Sequence, residues 1–349
     1  MSYFSDSAFW QDFECIANLS SNGSINALAI SGDGKTLVHG IDGGTLITLD
    51  LETNQFIQAF RDRGAGTEAV VISPDSQLVV ASFSGEEVGI WNLHTGSQIH
   101  LLEGDSCTIV PLAISSPSWL SSQKSGLLGN LASALGGKGI TNLPLVAGGD
   151  SQGRVRVWNL ETGKKLLTLE GHGKAVSSVA ITPDNTTLIS ASTDWETPLI
   201  VWDLKTGERR YSFGDREDLD RITKVAITPD GQLLVTSEPW GEVQVWQIKG
   251  STPYPLLHKF KAHEGGVPGI GVGSVTSLAF SPDSQVLLTS GYDQFIRIWN
   301  LATGQIIHEF KGHEGPVSGV IMTPDGKGII SSSFSEGYPG FGRIKIWSN

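Results

Sequence analysis

Sulfur and positive charge are both scarce in this chain. Its 349 residues include only two cysteines, Cys15 and Cys107, and two methionines. Two thiols cannot lay out a disulfide framework over such a length, so they read as reduced side chains packed as small apolar groups. Lysine and arginine number 24 against 36 acids, a formal net charge of −12. Nucleic-acid binding needs a basic field to neutralise phosphates, and this chain offers none, so no nucleic-acid partner is expected. Long apolar runs are missing too: no stretch approaches the roughly 20 residues of a membrane-spanning helix. Residues 1–13 have neither a basic start nor a continuous apolar segment, so no secretory leader is expected. The balance points to a soluble, cytoplasmic protein.

Motifs for cofactors are equally thin. The eight histidines are scattered without metal-ligand spacing. The Gly137-Lys138-Gly139 stretch lacks the Ser or Thr that follows the lysine of a phosphate loop. Gly269, Gly271 and Gly273 alternate in a glycine-rich loop, but that run opens into the strand pattern Val275 to Phe280, whereas a phosphate cradle opens into a helix. No cofactor and no metal are expected, and no nucleophile, base and orienting group stand together as a catalytic set.

What the chain has in abundance is glycine, 43 residues, and a repeat. A Ser/Thr-Pro-Asp turn recurs at 73, 182, 228, 281 and 323, each time between two β-patterned segments. Asp33 to Leu49, Asp75 to Trp91, Asp230 to Trp246 and Asp283 to Trp299 share a spacing of 16 residues. The unit at Val275 to His313 is the clearest, with four short strands joined by tight turns. A period of about 40 residues means one supersecondary unit stacked many times, and a closed ring leaves no unit with a bare face.

Six of the seven units end their third strand in a Trp followed by Asn, Asp, Gln or Ser, at Trp91, Trp158, Trp202, Trp246, Trp299 and Trp347, with Leu49-Asp50 as the weaker first copy. Gly171-His172, Ala262-His263 and Gly312-His313 stand ahead of the later units. On these residues the chain resembles the WD40-repeat β-propeller family over nearly its whole length. The resemblance implies an all-β, seven-bladed propeller of four-stranded antiparallel blades in a single domain. The sequence stops two residues after Trp347, and Phe13 to Ser20 resembles the outer strand Gln305 to Lys311. The N-terminal strand, about 13–20, is therefore expected to complete blade 7 and hide its edge.

The family also implies a buried hydrogen-bonded tetrad, and His263, Thr289, Asp293 and Trp299 match it residue by residue. The fourth unit keeps His172, Ser190, Asp194 and Trp202 with two extra residues. Gly85 and Trp240 stand at the Asp position of the second and fifth units, which are expected to rely on apolar packing.

Function in repeat proteins concentrates where the repeat is broken. The largest break is an insertion of about 116–143 in the third unit, where Leu127, Leu131 and Leu135 recur at helical spacing. This stripe packs on the propeller rim, docks a partner or touches a membrane surface. The turns between second and third strands are also unusual. They carry Trp195, Glu196, Glu238, Trp240, Tyr292, Tyr338 and Phe341, which the family geometry would gather with Glu86, Glu87, Glu242 and Glu336 on one rim. Exposed aromatics beside acids suit a protein partner of basic character. The expected function is a non-catalytic protein-interaction scaffold or adaptor. The alternatives are a reader of cationic or methylated-amine groups, or an enzyme using the central channel; oligomeric state is not legible.

Overall fold

The structure, a computed structural model, describes residue 4 and residues 6–60, 65–85, 88–102, 109–115, 140–213, 221–248, 254–264, 274–334 and 341–349. Cys107, Tyr338, the Leu127, Leu131 and Leu135 stripe and the 265–273 glycine run lie outside these residues, as do Glu86, Glu87 and Glu336.

Seven four-stranded antiparallel sheets follow one another along the chain as the blades of a β-propeller. Blade 6 is typical: Val275–Phe280 is innermost, then Val286–Gly291, Phe295–Asn300 and the outer Ile306–Lys311. The inner strands of successive blades meet, and that of blade 7, Val317–Met322, meets that of blade 1, Ile25–Ile30. Second strands are the driest elements; Val286–Gly291 and Gly328–Ser333 are buried at every position.

The repeated turn is built by its own side chains. In Ser281-Pro-Asp-Ser284 the Ser281 hydroxyl donates to Asp283 at 2.6 Å and accepts the Val286 N–H at 3.0 Å. The fourth turn residue then takes a left-handed φ, 61° at Ser284, 57° at Asn185 and 68° at Gly231. A short polar side chain or glycine tolerates that conformation, which is why this position reads Gly, Ser or Asn.

Among the described residues there are seven apolar clusters, one between each pair of consecutive blades. The third-strand aromatic is the centre of most of them: Trp246 and Trp158 are fully buried, and Trp202 is 3% exposed. A blade thus has two apolar faces and each seam buries one from either neighbour, so the ring must close.

Closure uses the N-terminal strand. Glu14–Ser20 pairs antiparallel with Arg343–Ser348, Cys15 opposite Trp347 and Leu19 opposite Ile344. A short helix, Ser7–Gln11, precedes it, capped by the Asp6 carboxylate, which accepts the Ala8 N–H at 2.9 Å. In blades 3 and 6 the turn between third and outer strands packs on the preceding blade: His100 Nε2 meets the Glu161 carbonyl at 2.8 Å and His258 Nε2 that of Ala302 at 3.0 Å. Blade 7 has no such turn, because its third and outer strands come from opposite ends of the chain. The helix stands in for it against Ile306–Lys311 of blade 6. Trp10 is fully buried there, its ring centroid 4.8 Å from Phe9 and 4.9 Å from Phe13. Its indole N–H donates to the Phe4 carbonyl at 2.8 Å.

Candidate interaction face

Antiparallel order within each blade sends the turns between second and third strands, and the connections from one blade to the next, to the same end of the ring. Beneath them lie the polar clusters that hold this end rigid. In blade 6, His263 bridges Asp293 and Thr289, each at 2.8 Å, and the Trp299 indole donates to Thr289 at 3.0 Å. Arg297 adds a 2.6 Å bond to Asp293 and a 3.1 Å bond to the Ala262 carbonyl. Burial works against the Asp293 carboxylate, but hydrogen bonds and charge from His263 and Arg297 outweigh it and hold its pKa below the usual range. Burial pulls His263 down despite Asp293, so the imidazole is neutral at neutral pH. A histidine locked between two partners and sealed from solvent orients a turn; it has no free face for chemistry.

The other blades vary this theme. Blade 7 keeps His313 on Ser331 at 2.8 Å and the Trp347 indole on the same hydroxyl at 2.9 Å. Blade 4 keeps His172 on Ser190 at 2.7 Å and Trp202 on Ser190 at 2.8 Å. Asp194 does not close that group. The two extra residues bring the Thr197 carbonyl to His172 Nδ1 at 2.6 Å, while Asp194 accepts the Gly173 N–H at 2.9 Å and the Thr197 hydroxyl at 2.8 Å. Blade 5 is not held by apolar packing alone: Trp246 donates to Thr236 at 3.1 Å, and Gln244 donates to Glu238 at 2.8 Å. Blade 3 carries a buried ion pair at the equivalent positions, Arg156 and Asp150 at 3.0 Å. Blade 1 inverts the usual order, with Ser21 where other blades have the His and His39 where they have Ser or Thr, 3.4 Å apart.

Above this layer the turns diverge. Trp195 on blade 4 and Trp240 on the adjacent blade 5 are 65% and 58% exposed, the most exposed tryptophans among the described residues. Neither is loose. Asp194 ties the turn below Trp195, and it also accepts the Glu196 N–H at 3.2 Å. Trp240 precedes Gly241, whose φ of 83° makes the tight turn, and the Pro239 carbonyl accepts the Ser274 hydroxyl at 2.7 Å. Glu196 is exposed beside Trp195, and Phe341 on blade 7 is 39% exposed.

Two residues expected on this rim are placed otherwise. Glu238 is buried, and its carboxylate is turned inward onto Gln244 because its position in the repeat is that of the small Gly291 in blade 6, next to the tetrad. Tyr292 is half-buried and stacks on Phe334 at 5.9 Å, covering its neighbouring loop. The acidic belt is interrupted as well, since Lys174 and Arg221 are exposed at the same end as Glu196 and Glu264. Sequence reasoning passed over Arg156, Gln244 and His39, although each sits at a fixed distance from the residue that closes its third strand, Trp158, Trp246 and Leu49, and was open to comparison between repeats.

A family profile described as WD domain, G-beta repeat matches residues 163–196, 254–300 and 304–336. The chain belongs to the WD40 β-propeller family. It is 29% identical to periodic tryptophan protein 2 of Arabidopsis thaliana over 58% of its length and 20% of that protein. It is 23% identical to a guanine nucleotide-binding protein subunit beta of Oryza sativa subsp. japonica, over 65% of this chain and 54% of the relative. An uncharacterized WD repeat-containing protein of Synechocystis is 30% identical over 48% of this chain and 44% of its own. The matched region spans about half or less of each relative's length. Among the described residues no helix is long and apolar enough to cross a membrane.

Proposed function

We propose that this propeller is a non-catalytic scaffold in the cytoplasm that seats a protein partner on the face carrying Trp195 and Trp240. The observation that carries this reading is a pair of exposed indoles, 65% and 58% accessible, on stiff turns of neighbouring blades. Exposing a tryptophan on a surface of fixed geometry stabilises nothing in the folded chain, whereas burial against a partner returns the hydrophobic area and loses little side-chain entropy. Glu196 supplies an acid beside Trp195, so a lysine or arginine of the partner is the expected complement. Phe341 extends the surface, and Tyr338 belongs to the same proposal as a secondary contact; Leu127, Leu131 and Leu135, inserted between the first and second strands of blade 3 and so at the opposite end of the ring, are proposed as a separate docking element. Family membership supports a scaffold, since its relatives include a guanine nucleotide-binding protein subunit. A methylated-amine cage built from Trp240 and Glu238 is disfavoured because that carboxylate is buried against Gln244.

The test pairs two measurements on the same variants. Trp240→Ala and Trp195→Ala should each leave the melting temperature near wild type and weaken the native partner, once captured, by about 2 kcal/mol. A variant that melts early and binds normally makes its indole a cover over its own blade and removes this face from consideration.

A further inference from the structure

At two seams the inner strands of neighbouring blades are tied by side-chain hydroxyls. Between blades 4 and 5, Ser177 donates to the Ile222 carbonyl at 2.5 Å, and Ser178 accepts the Val225 N–H at 3.0 Å. Between blades 6 and 7, Thr276 donates to the Val317 carbonyl at 2.6 Å and Ser277 to that of Val320 at 3.2 Å. The residues at these two positions in blade 5 are Thr223 and Lys224. Thr223 turns back into its own blade, donating to the Ser237 carbonyl at 3.1 Å and meeting its hydroxyl at 3.0 Å. Lys224 replaces the second hydroxyl with an amine.

The seam between blades 5 and 6 therefore lacks, among the described residues, both ties found on either side of it. What stands there is a cation, and among the described residues no carboxylate lies within ion-pair distance of Lys224. Protein atoms surround its side chain closely enough that burial pulls its pKa below the usual lysine range, yet the residue stays partly accessible to solvent. An enclosed ammonium is costly unless an anion or several acceptors meet it. The strand facing Lys224 offers a second donor. Leu278 in blade 6 holds the place of Val225 in blade 5, whose N–H points out of its sheet to Ser178. At this seam no hydroxyl takes the place of Ser178.

We infer that the inner end of the seam between blades 5 and 6 is a binding site for a small oxyanion, a carboxylate or a phosphate, held by the Lys224 ammonium and the Leu278 N–H. Lysine supplies the point charge and the amide the direction, a pairing suited to an oxygen with several lone pairs. The ligand completes the seam in place of the missing hydroxyl ties, so occupancy stabilises the ring as a whole.

The experiment is a thermal titration of the full chain with sodium phosphate and, separately, sodium acetate, at ionic strength fixed with chloride. One of the two anions should raise the melting temperature saturably, by about 3–6 °C at a concentration about a hundred times its dissociation constant. Response to phosphate alone assigns a phosphate site, and response to acetate a carboxylate site. Lys224→Met and Lys224→Ser should both abolish the response. Lys224→Ser restores the hydroxyl of the flanking seams, so it should melt at or above the anion-free wild type. No saturable response to either anion in the wild type, or an undiminished one in Lys224→Ser, overturns the site.

Discussion

Ser21 and His39 show how much one exchanged pair can change. Blades 4 and 7 place the imidazole on the connection between blades and the hydroxyl on the second strand; blade 1 reverses them. His39 is 3% exposed, its Nδ1 has no hydrogen-bond partner, and burial pulls its pKa down to about 4. A histidine depressed in the folded state is neutral there while the unfolded chain takes up a proton near pH 6.5. Stability is therefore full above pH 6.5 and declines as pH falls toward 4, where the loss reaches roughly 3 kcal/mol. His172 and His263 are shifted the same way and add to the slope. Denaturant unfolding at pH 7 and pH 4.5 should show His39→Gln losing less stability on acidification than wild type; equal losses would place the imidazole in contact with water. In blade 6, Asp293→Ala should cost about 2–4 kcal/mol by stripping His263 and Arg297 of their shared acceptor. An unchanged denaturant midpoint would show that the carboxylate contributes nothing to that blade. Glu238 marks the limit of reading at this scale. A glutamate in a Pro-Trp-Gly turn reads as solvated, and only the position of Gln244 across the hairpin shows that it faces inward.

Among elements, the turns were the most legible, because Ser, Asp and a left-handed fourth residue act within six positions of one another. The helix Ser7–Gln11 was not, since five residues carry no usable periodicity and its reason for forming is the vacant turn position of blade 7. The insertion in blade 3 is also bounded by the structure rather than by its composition. Residues 140–142 form a 3₁₀ turn, and Ile140 and Leu143 pack into the cluster between blades 3 and 4, so they belong to the propeller. Replacing 116–139 with a short Gly-Ser connection should leave the melting temperature near wild type. Extending the deletion through 143 should lower it by several degrees, because that apolar anchor is lost. Calorimetry on the two deletions checks both; equal melting would make 140–143 part of a dispensable loop.

For the whole molecule, ring closure governs stability. The strand Glu14–Ser20 supplies the outer edge of blade 7, and the helix before it buries Trp10 against blade 6. Removing residues 1–12 should cost about 3–5 kcal/mol through loss of the buried Trp10 alone, and removing 1–20 should cost more and expose the edge of Arg343–Ser348 to aggregation. A 1–20 deletion that stays monomeric and melts like the full chain would show that the ring closes without it.

The sequence by itself determined the repeat, the number of blades, the turn chemistry and the strand that closes the ring. These follow from short-range spacing and from comparing one copy with another. Tertiary structure decided which polar side chains face inward, as with Glu238, Arg156 and His39, and which indoles remain in water, as with Trp195 and Trp240. It also decided that Lys224 stands at the seam between two others that are tied by hydroxyls. The physical reason is that burial and pairing are set by the packed blade and its neighbours: Glu238 and Arg156 meet their partners inside their own blades, while the seams join residues more than 40 positions apart, as Ser178 is from Val225 or Thr276 from Val317. No local pattern reports what the neighbouring blade presents.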